Sequence, residues 1–231
     1  AFDANIEVGN AETPIDITFP DSLNPIWSVR DYGPGLTPDE VKNIFTQYGA
    51  STKRDSNTVT GCLGIGSKSF ASYCDQMTVE SWIDNIKYTY VAAINDDGEA
   101  IIHLVSSTMN LKPNGVRISI PVKSDDIHYF RTKTMRFLKS IHLAGAPYNI
   151  IDGEGESKIE ISKFSESKED DWYIANTKEY DSFIDSGKCK VIMGHVAYQV
   201  DIHKLHSLSS SESAIAECST LFIKCPWALY Q

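Results

Sequence analysis

Asp31-Tyr-Gly33-Pro-Gly35 closes an extended stretch, and Gly61-Cys-Leu-Gly64-Ile-Gly66-Ser67-Lys68-Ser69 follows after a polar segment. In the first motif a carboxylate at a strand end precedes two glycines. The glycines let the backbone turn tightly and approach a flat ligand, while the acid presents a fixed acceptor. Such an acceptor suits the exocyclic amine of adenine, although Asp, Gly and Pro are also the commonest turn residues and the motif alone reads as readily as a plain turn. In the second motif Gly61, Gly64 and Gly66 carry no Cβ, so successive backbone N–H groups can converge on phosphate oxygens where a helix begins at Ser67, with Lys68 adding a point charge. A linker is the competing reading, but linkers rarely lead straight into a helix start. The P-loop pattern G-x-x-x-x-G-K-[ST] fails by one residue, because Ser67 intervenes before Lys68. Asn57-Thr-Val-Thr60 is also too polar and short for the buried parallel strand a P-loop needs.

Working outward, Ile15-Asp-Ile17-Thr-Phe19 alternates apolar and polar, Pro20 to Pro25 turns, and Ile26-Trp-Ser-Val29-Arg30 resumes the extended pattern into Asp31. Thr37-Pro38-Asp39-Glu40 starts a helix, with Thr37 as N-cap and Glu40 at the capping-box position; Val41, Ile44 and Phe45 give its buried face. Tyr48 to Thr60, rich in Gly, Ser, Thr, Asn and Lys and without period, reads as an exposed loop. Met77–Trp82, Tyr88–Ala92, Ala100–Leu104 and Val116–Pro121 read as successive strands, with turns at Asn95–Gly98 and Pro113–Gly115. The sum is an α+β layer pair, a sheet with helices on one face. Asp125 to Leu143 reads as helix. The expected domains are 1–123 and a smaller α/β domain over 124–231, with strand candidates at Lys158–Ser162 and Val191–Val200.

The composition, 42% hydrophobic and 23% charged over 231 residues, is that of a globular chain able to bury a core. Lys and Arg total 21 against 31 Asp and Glu; the net charge of -10 repels a nucleic-acid backbone outside a local basic patch, so there is no strong case for nucleic acid. No apolar run reaches the roughly 18 residues that a membrane-crossing helix needs. Cys62, Cys74, Cys189, Cys218 and Cys225 show no paired spacing for zinc or a secreted disulfide scaffold and fit reduced thiols in a cytosol. Scattered His195, Asp201, His203 and His206 read as surface or hydrogen-bonded residues rather than a metal site. The opening Ala1-Phe-Asp3-Ala4, without an initiating Met, reads as part of something longer.

Asp31-x-Gly33-x-Gly35, a Ser/Thr/Lys-rich loop, then Gly61-x-x-Gly64-x-Gly66 resembles, in order and spacing, the GHKL ATPases of the gyrase B, heat-shock chaperone, histidine kinase and MutL type. The resemblance covers residues 1 to 122 and implies a GHKL-type sandwich, with ATP and Mg²⁺ as cofactors and a smaller transducer-like domain behind it. It implies Asp31 as adenine acceptor, Gly33 and Gly35 shaping the base pocket, and Gly61, Gly64, Gly66, Ser67 and Lys68 around the phosphates. Tyr48 to Thr60 would be an ATP lid, whose Lys53 either reaches the γ-phosphate or is a solvated surface lysine. Asp3-Ala4 are similar to the last two residues of the family pattern E-x-x-x-N-x-x-D-A, which places Asp3 at the metal. The general base and the metal-binding Asn would then lie before Ala1, and any Mg-dependent ATPase activity would belong to a longer parent. The family's Gly-Thr pair falls at Gly115-Val116, where Val replaces the hydroxyl.

A narrower resemblance, through Tyr48-Gly-Ala-Ser-Thr-Lys53, Gly64-Ile-Gly-Ser-Lys-Ser69, Val116-Arg-Ile-Ser-Ile-Pro-Val122 and Met193-Gly-His-Val-Ala-Tyr198, is to the phage rIIA lysis-inhibition proteins. It implies a phage protein in the host cytoplasm, peripheral at the inner membrane, that acts on phage or host proteins in lysis control or exclusion; a second copy of the chain, as a homodimer, is a further expected partner. The alternative is a non-hydrolysing interaction scaffold that keeps the nucleotide-binding fold.

Overall fold

The computed structural model describes residues 1–46, 66–153 and 155, together with five strands of the carboxyl-terminal part. Two compact units are present: residues 1–131 with 147–157, and residues 132–146 with 158–231.

The first unit is built on seven strands: β1 (Ile15–Thr18), β2 (Ile26–Arg30), β3 (Gln76–Ile83), β4 (Ile86–Ile94), β5 (Ala100–Met109), β6 (Gly115–Pro121) and β7 (Tyr148–Ile151). Their order in the sheet is β5-β4-β3-β6-β2-β1-β7, antiparallel throughout except for the parallel pair β1 and β7. Where the sequence reading divides the chain after residue 123, β7 returns to this sheet and pairs Ile15 to Thr18 with Tyr148 to Ile151. The sheet is therefore mixed, within the α+β class expected.

Three short helical elements lead the chain around it: α1 (Phe2–Glu7), α2 (Pro38–Thr46) and a 3₁₀ helix, Gly66–Ser72. The capping box read at α2 is present, since the Thr37 N–H donates to Glu40 Oε2 (2.8 Å) and the Glu40 N–H returns to Thr37 Oγ1 (3.3 Å). One turn on, Val41 and Phe45 fall on a single face and pack with Phe70 against Met77, Val79, Tyr90 and Ala92. Strand alternation explains the other side of the sheet. With Met77, Val79 and Ser81 turned to the core, Glu80 joins a cross-strand row with Arg117, Arg30, Asp16 and Asn149.

In that row the buried Arg30 guanidinium lies over the Trp82 ring at 4.0 Å and the Tyr32 ring at 4.8 Å, and donates to the Pro113 carbonyl. Burial pulls Arg30 below the usual guanidinium range. Glu80 is paired with both Lys87 and Arg117. At the far end of the unit Arg131, near the start of α3 (Ile127–Leu143), grips Asp152 through two nitrogens at 2.8 and 2.7 Å.

The second unit contributes β8 (Lys163–Glu166), β9 (Trp172–Asn176), β10 (Cys189–Met193), β11 (Val196–Val200) and β12 (Ser219–Cys225), ordered β11-β10-β12-β9-β8 with β10 and β12 parallel. The single strand expected over Val191–Val200 is an antiparallel pair, β10 with β11. The candidate at Lys158–Ser162 lies outside the described residues. No helix among the described residues is long and apolar enough to cross a membrane.

Candidate functional site

The site begins where β2 ends. Asp31 is buried; its main-chain N–H donates to the Val116 carbonyl (2.9 Å), and its Oδ1 accepts from the N–H groups of Val116 (3.0 Å) and Gly33 (3.2 Å). Two backbone donors on one oxygen fix the carboxylate plane. The other oxygen, Oδ2, makes no hydrogen bond among the described residues. Oδ2 is not one of the fully buried atoms left without a partner, so this oxygen is open to a donor from water or a ligand and marks a recognition point for an N–H or O–H group.

Close backbone approach holds the carboxylate in place. Gly115 opens β6 at φ +139°, and a Cβ there would come 2.1 Å from the Asp31 carbonyl oxygen. A Cβ on Gly33 would meet the Ala4 Cβ at 2.6 Å and its carbonyl oxygen at 2.7 Å, which is why α1 can lie directly on the loop. Gly35 stands equally close to the Trp82 carbonyl. Gly33 and Gly35 thus have packing roles whatever the loop binds.

Two residues that sequence reasoning passed over complete the frame. Asn5, buried in α1, donates from Nδ2 to the Thr13 carbonyl (2.8 Å) and accepts the Tyr32 N–H at Oδ1 (2.7 Å). Ser81, fully buried on β3, accepts the Leu36 N–H and donates to the Leu36 carbonyl, both at 2.8 Å. The available signal was Ser81 itself, a hydroxyl on the apolar side of an alternating strand. Ser81→Ala would leave both main-chain groups of Leu36 without their partner, and we expect a loss of about 2 kcal/mol in urea unfolding with an unchanged m-value.

Tyr32 anchors the opposite flank of the loop. Its hydroxyl donates to Asp16 Oδ2 (2.6 Å), and Asp16 Oδ1 accepts from Asn149 (3.0 Å). Burial, reinforced by the Asp16 bond, pushes the Tyr32 phenol above its usual range. A cavity of about 510 Å³ on this flank is lined in part by Tyr32, Gly33, Pro34, Asn10 and Pro113. Asp31 is not among the described residues that line it.

Of the other residues singled out by sequence, Asp3 is half-buried in the first turn of α1, one residue from the Ala4 that touches Gly33. Among the described residues no three His, Cys, Asp or Glu side chains gather as a metal cluster. Gly66 opens the 3₁₀ helix and places Ser67 and Lys68 in its first turn, one residue ahead of the helix start expected at Ser67. The side chains of Ser67 and Lys68, and the whole of Lys53, Gly61, Gly64 and the Tyr48–Thr60 loop, lie outside the described residues. One core joins the two glycine segments: Phe70 of the 3₁₀ helix belongs to the cluster on which Leu36 and Val116 pack.

Residues 2–114 match the family described as histidine kinase-, DNA gyrase B-, and HSP90-like ATPase. The fold is similar to the crystal structure of the ATPase region of Saccharomyces cerevisiae topoisomerase II (TM-score 0.60, 15% identity, covering 97% of this chain and 72% of that one). It is similar also to the same region bound to ICRF-187, dexrazoxane (TM-score 0.59, 15% identity, 97% and 73%). No curated protein sequence matches the chain.

Proposed function

Residues 2–114 form a domain of the histidine kinase-, DNA gyrase B- and HSP90-like ATPase family, and from that premise we propose that this chain binds ATP at Asp31 and couples the binding to a change in its own conformation. The observation that carries the reading is the Asp31 carboxylate, on a buried residue, locked through Oδ1 and with no donor to Oδ2 among the described residues. An adenine amine is the donor it suits, and Gly33 lets α1 lie directly on the loop that holds it. The 3₁₀ helix opened by Gly66 follows the glycine cluster directly, and Ser67 and Lys68 in its first turn serve the phosphates. Magnesium, which takes one or two carboxylates and fills its octahedron with phosphate oxygens and water, needs no acidic cluster; Asp3 is the carboxylate on α1 that fits, and the ion would offset phosphate charge.

On the sequence reading, Tyr48 to Thr60 with Lys53 closes over the nucleotide. Limited proteolysis with and without saturating Mg-ATP tests the coupling: protection of that loop is expected, and an unchanged cleavage pattern rejects it. The finer reading, a rIIA-like phage protein that acts at the host inner membrane in lysis control, rests on the four sequence words quoted above. Phosphate release measured beside binding separates an ATPase from the scaffold alternative, which binds tightly and releases nothing.

A further inference from the structure

The outer edge of the seven-stranded sheet carries a feature that nucleotide binding does not use. Among the described residues strand β5 pairs on one side only, with β4, so its other side presents a row of main-chain N–H and C=O groups. It is ten residues long, and from His103 to Met109 every residue is exposed. Leu104, Val105, Met109 and the following Leu111 are 53 to 87% exposed. Edge strands are ordinarily blunted by a lysine, another charge or a proline. Between Ala100 and Leu111 there is no Asp, Glu, Lys, Arg, Pro or Gly. The bulge at Val105, where the register to β4 shifts, leaves regular pairing on both sides of it. The opposite edge, β7, is only four residues long and runs into the Asp152 ion pair.

Charge at the two ends of β5 selects the occupant. The turn before it carries exposed Asp96, Asp97 and Glu99, and the residue after Leu111 is the exposed Lys112. An antiparallel copy of the same strand would bring the acidic end of one chain beside the basic end of the other, with an uncharged middle between them. Pairing Glu99 with Lys112 puts the two-fold axis between Val105 and Ser106. Each chain then supplies both the apolar strip and the complementary ends, which an unrelated strand would have to match by its own sequence.

We propose that β5 is a self-association edge, and that two copies of this chain join there by antiparallel strand addition into one continuous sheet. The proposal is independent of the nucleotide reading. Sedimentation equilibrium of the full chain over a concentration series, with and without Mg-ATP, should show a reversible dimer. Val105→Lys, which sets two ammonium groups close to the axis, should raise the dimer dissociation constant by about tenfold. Glu99→Lys and Lys112→Glu should each weaken it by about threefold, and the double variant should restore it. All three positions are exposed, and the three charge-exchange variants test the edge separately from Val105→Lys. A chain that stays monomeric at every concentration, a dimer indifferent to Val105→Lys, or single charge variants that the double does not rescue would overturn the proposal.

Discussion

Asp31→Asn is expected to weaken ATP binding by about a hundredfold while changing folding stability by less than about 1 kcal/mol. The separation follows from which oxygen does what. Oδ1 accepts from Gly33 and Val116, and an asparagine carbonyl oxygen can take its place, so the loop and the start of β6 keep their tie. The amide nitrogen then stands at Oδ2 and presents N–H groups where an acceptor was. Against an amine this sets donor against donor and also removes a charge-assisted bond, together about 3 kcal/mol. Asp31→Ala differs in kind, because it strips Oδ1 from two main-chain N–H groups and should cost stability and binding together. Calorimetric titration with Mg-ATP, paired with urea unfolding of each variant, reads the two effects separately. Wild-type affinity in a folded Asp31→Asn would sink the assignment of this carboxylate to adenine.

Local sequence codes carried most of the first unit. The capping box at Thr37 and Glu40, the alternation of Met77 to Ser81 and the turn chemistry at Asn95–Gly98 act over a few residues, and each is visible without knowing the fold. Features that depend on distant partners were not legible. Tyr148-Asn-Ile-Ile151 has no period of its own to declare it a strand; it becomes one by lying parallel to Ile15–Thr18, far away in sequence. Likewise Ser81 earns its burial only because both main-chain groups of Leu36 arrive beside it. Strand β5 runs past the Ala100–Leu104 that the sequence reading gives, because an edge strand with an exposed side tolerates Ser106-Ser-Thr108 and continues to Met109.

The glycines of the site show the same division. The family resemblance implies a base-pocket role for Gly33 and Gly35, and the structure adds what presses on them, Ala4 of α1 and the Trp82 carbonyl of β3. The chain brings together α1, the end of β2, the end of β3 and the start of β6 by main-chain contact at glycines, and side-chain patterns do not encode such contacts. Only the residue type hints at them, and a glycine in a turn looks the same whether or not another strand lies against it.

Gly115 offers the sharpest test of that packing, and Gly115→Ala should destabilise the fold by about 4 kcal/mol. Two costs combine. At φ +139° an L side chain is strained wherever it sits, and the new Cβ would lie 2.1 Å from the Asp31 carbonyl oxygen and 3.1 Å from the Tyr32 Cα. Both obstacles are backbone, so no side-chain rotation relieves them, and β6 must move away from the loop by something near an ångström. Gly98→Ala separates the two costs: its φ of +80° carries conformational strain, but nothing lies within 4 Å of the added carbon. It should lose only about 1 kcal/mol. Movement of β6 also displaces the Val116 N–H that holds Asp31 Oδ1, so whatever folded Gly115→Ala remains should bind Mg-ATP more weakly, whereas Gly98→Ala should bind as wild type. Urea midpoints for the pair, read with nucleotide titrations at low denaturant, decide the matter. If Gly115→Ala were no less stable than Gly98→Ala, the close approach of β6 to the Asp31 loop would be wrong, and with it the means by which this carboxylate is held.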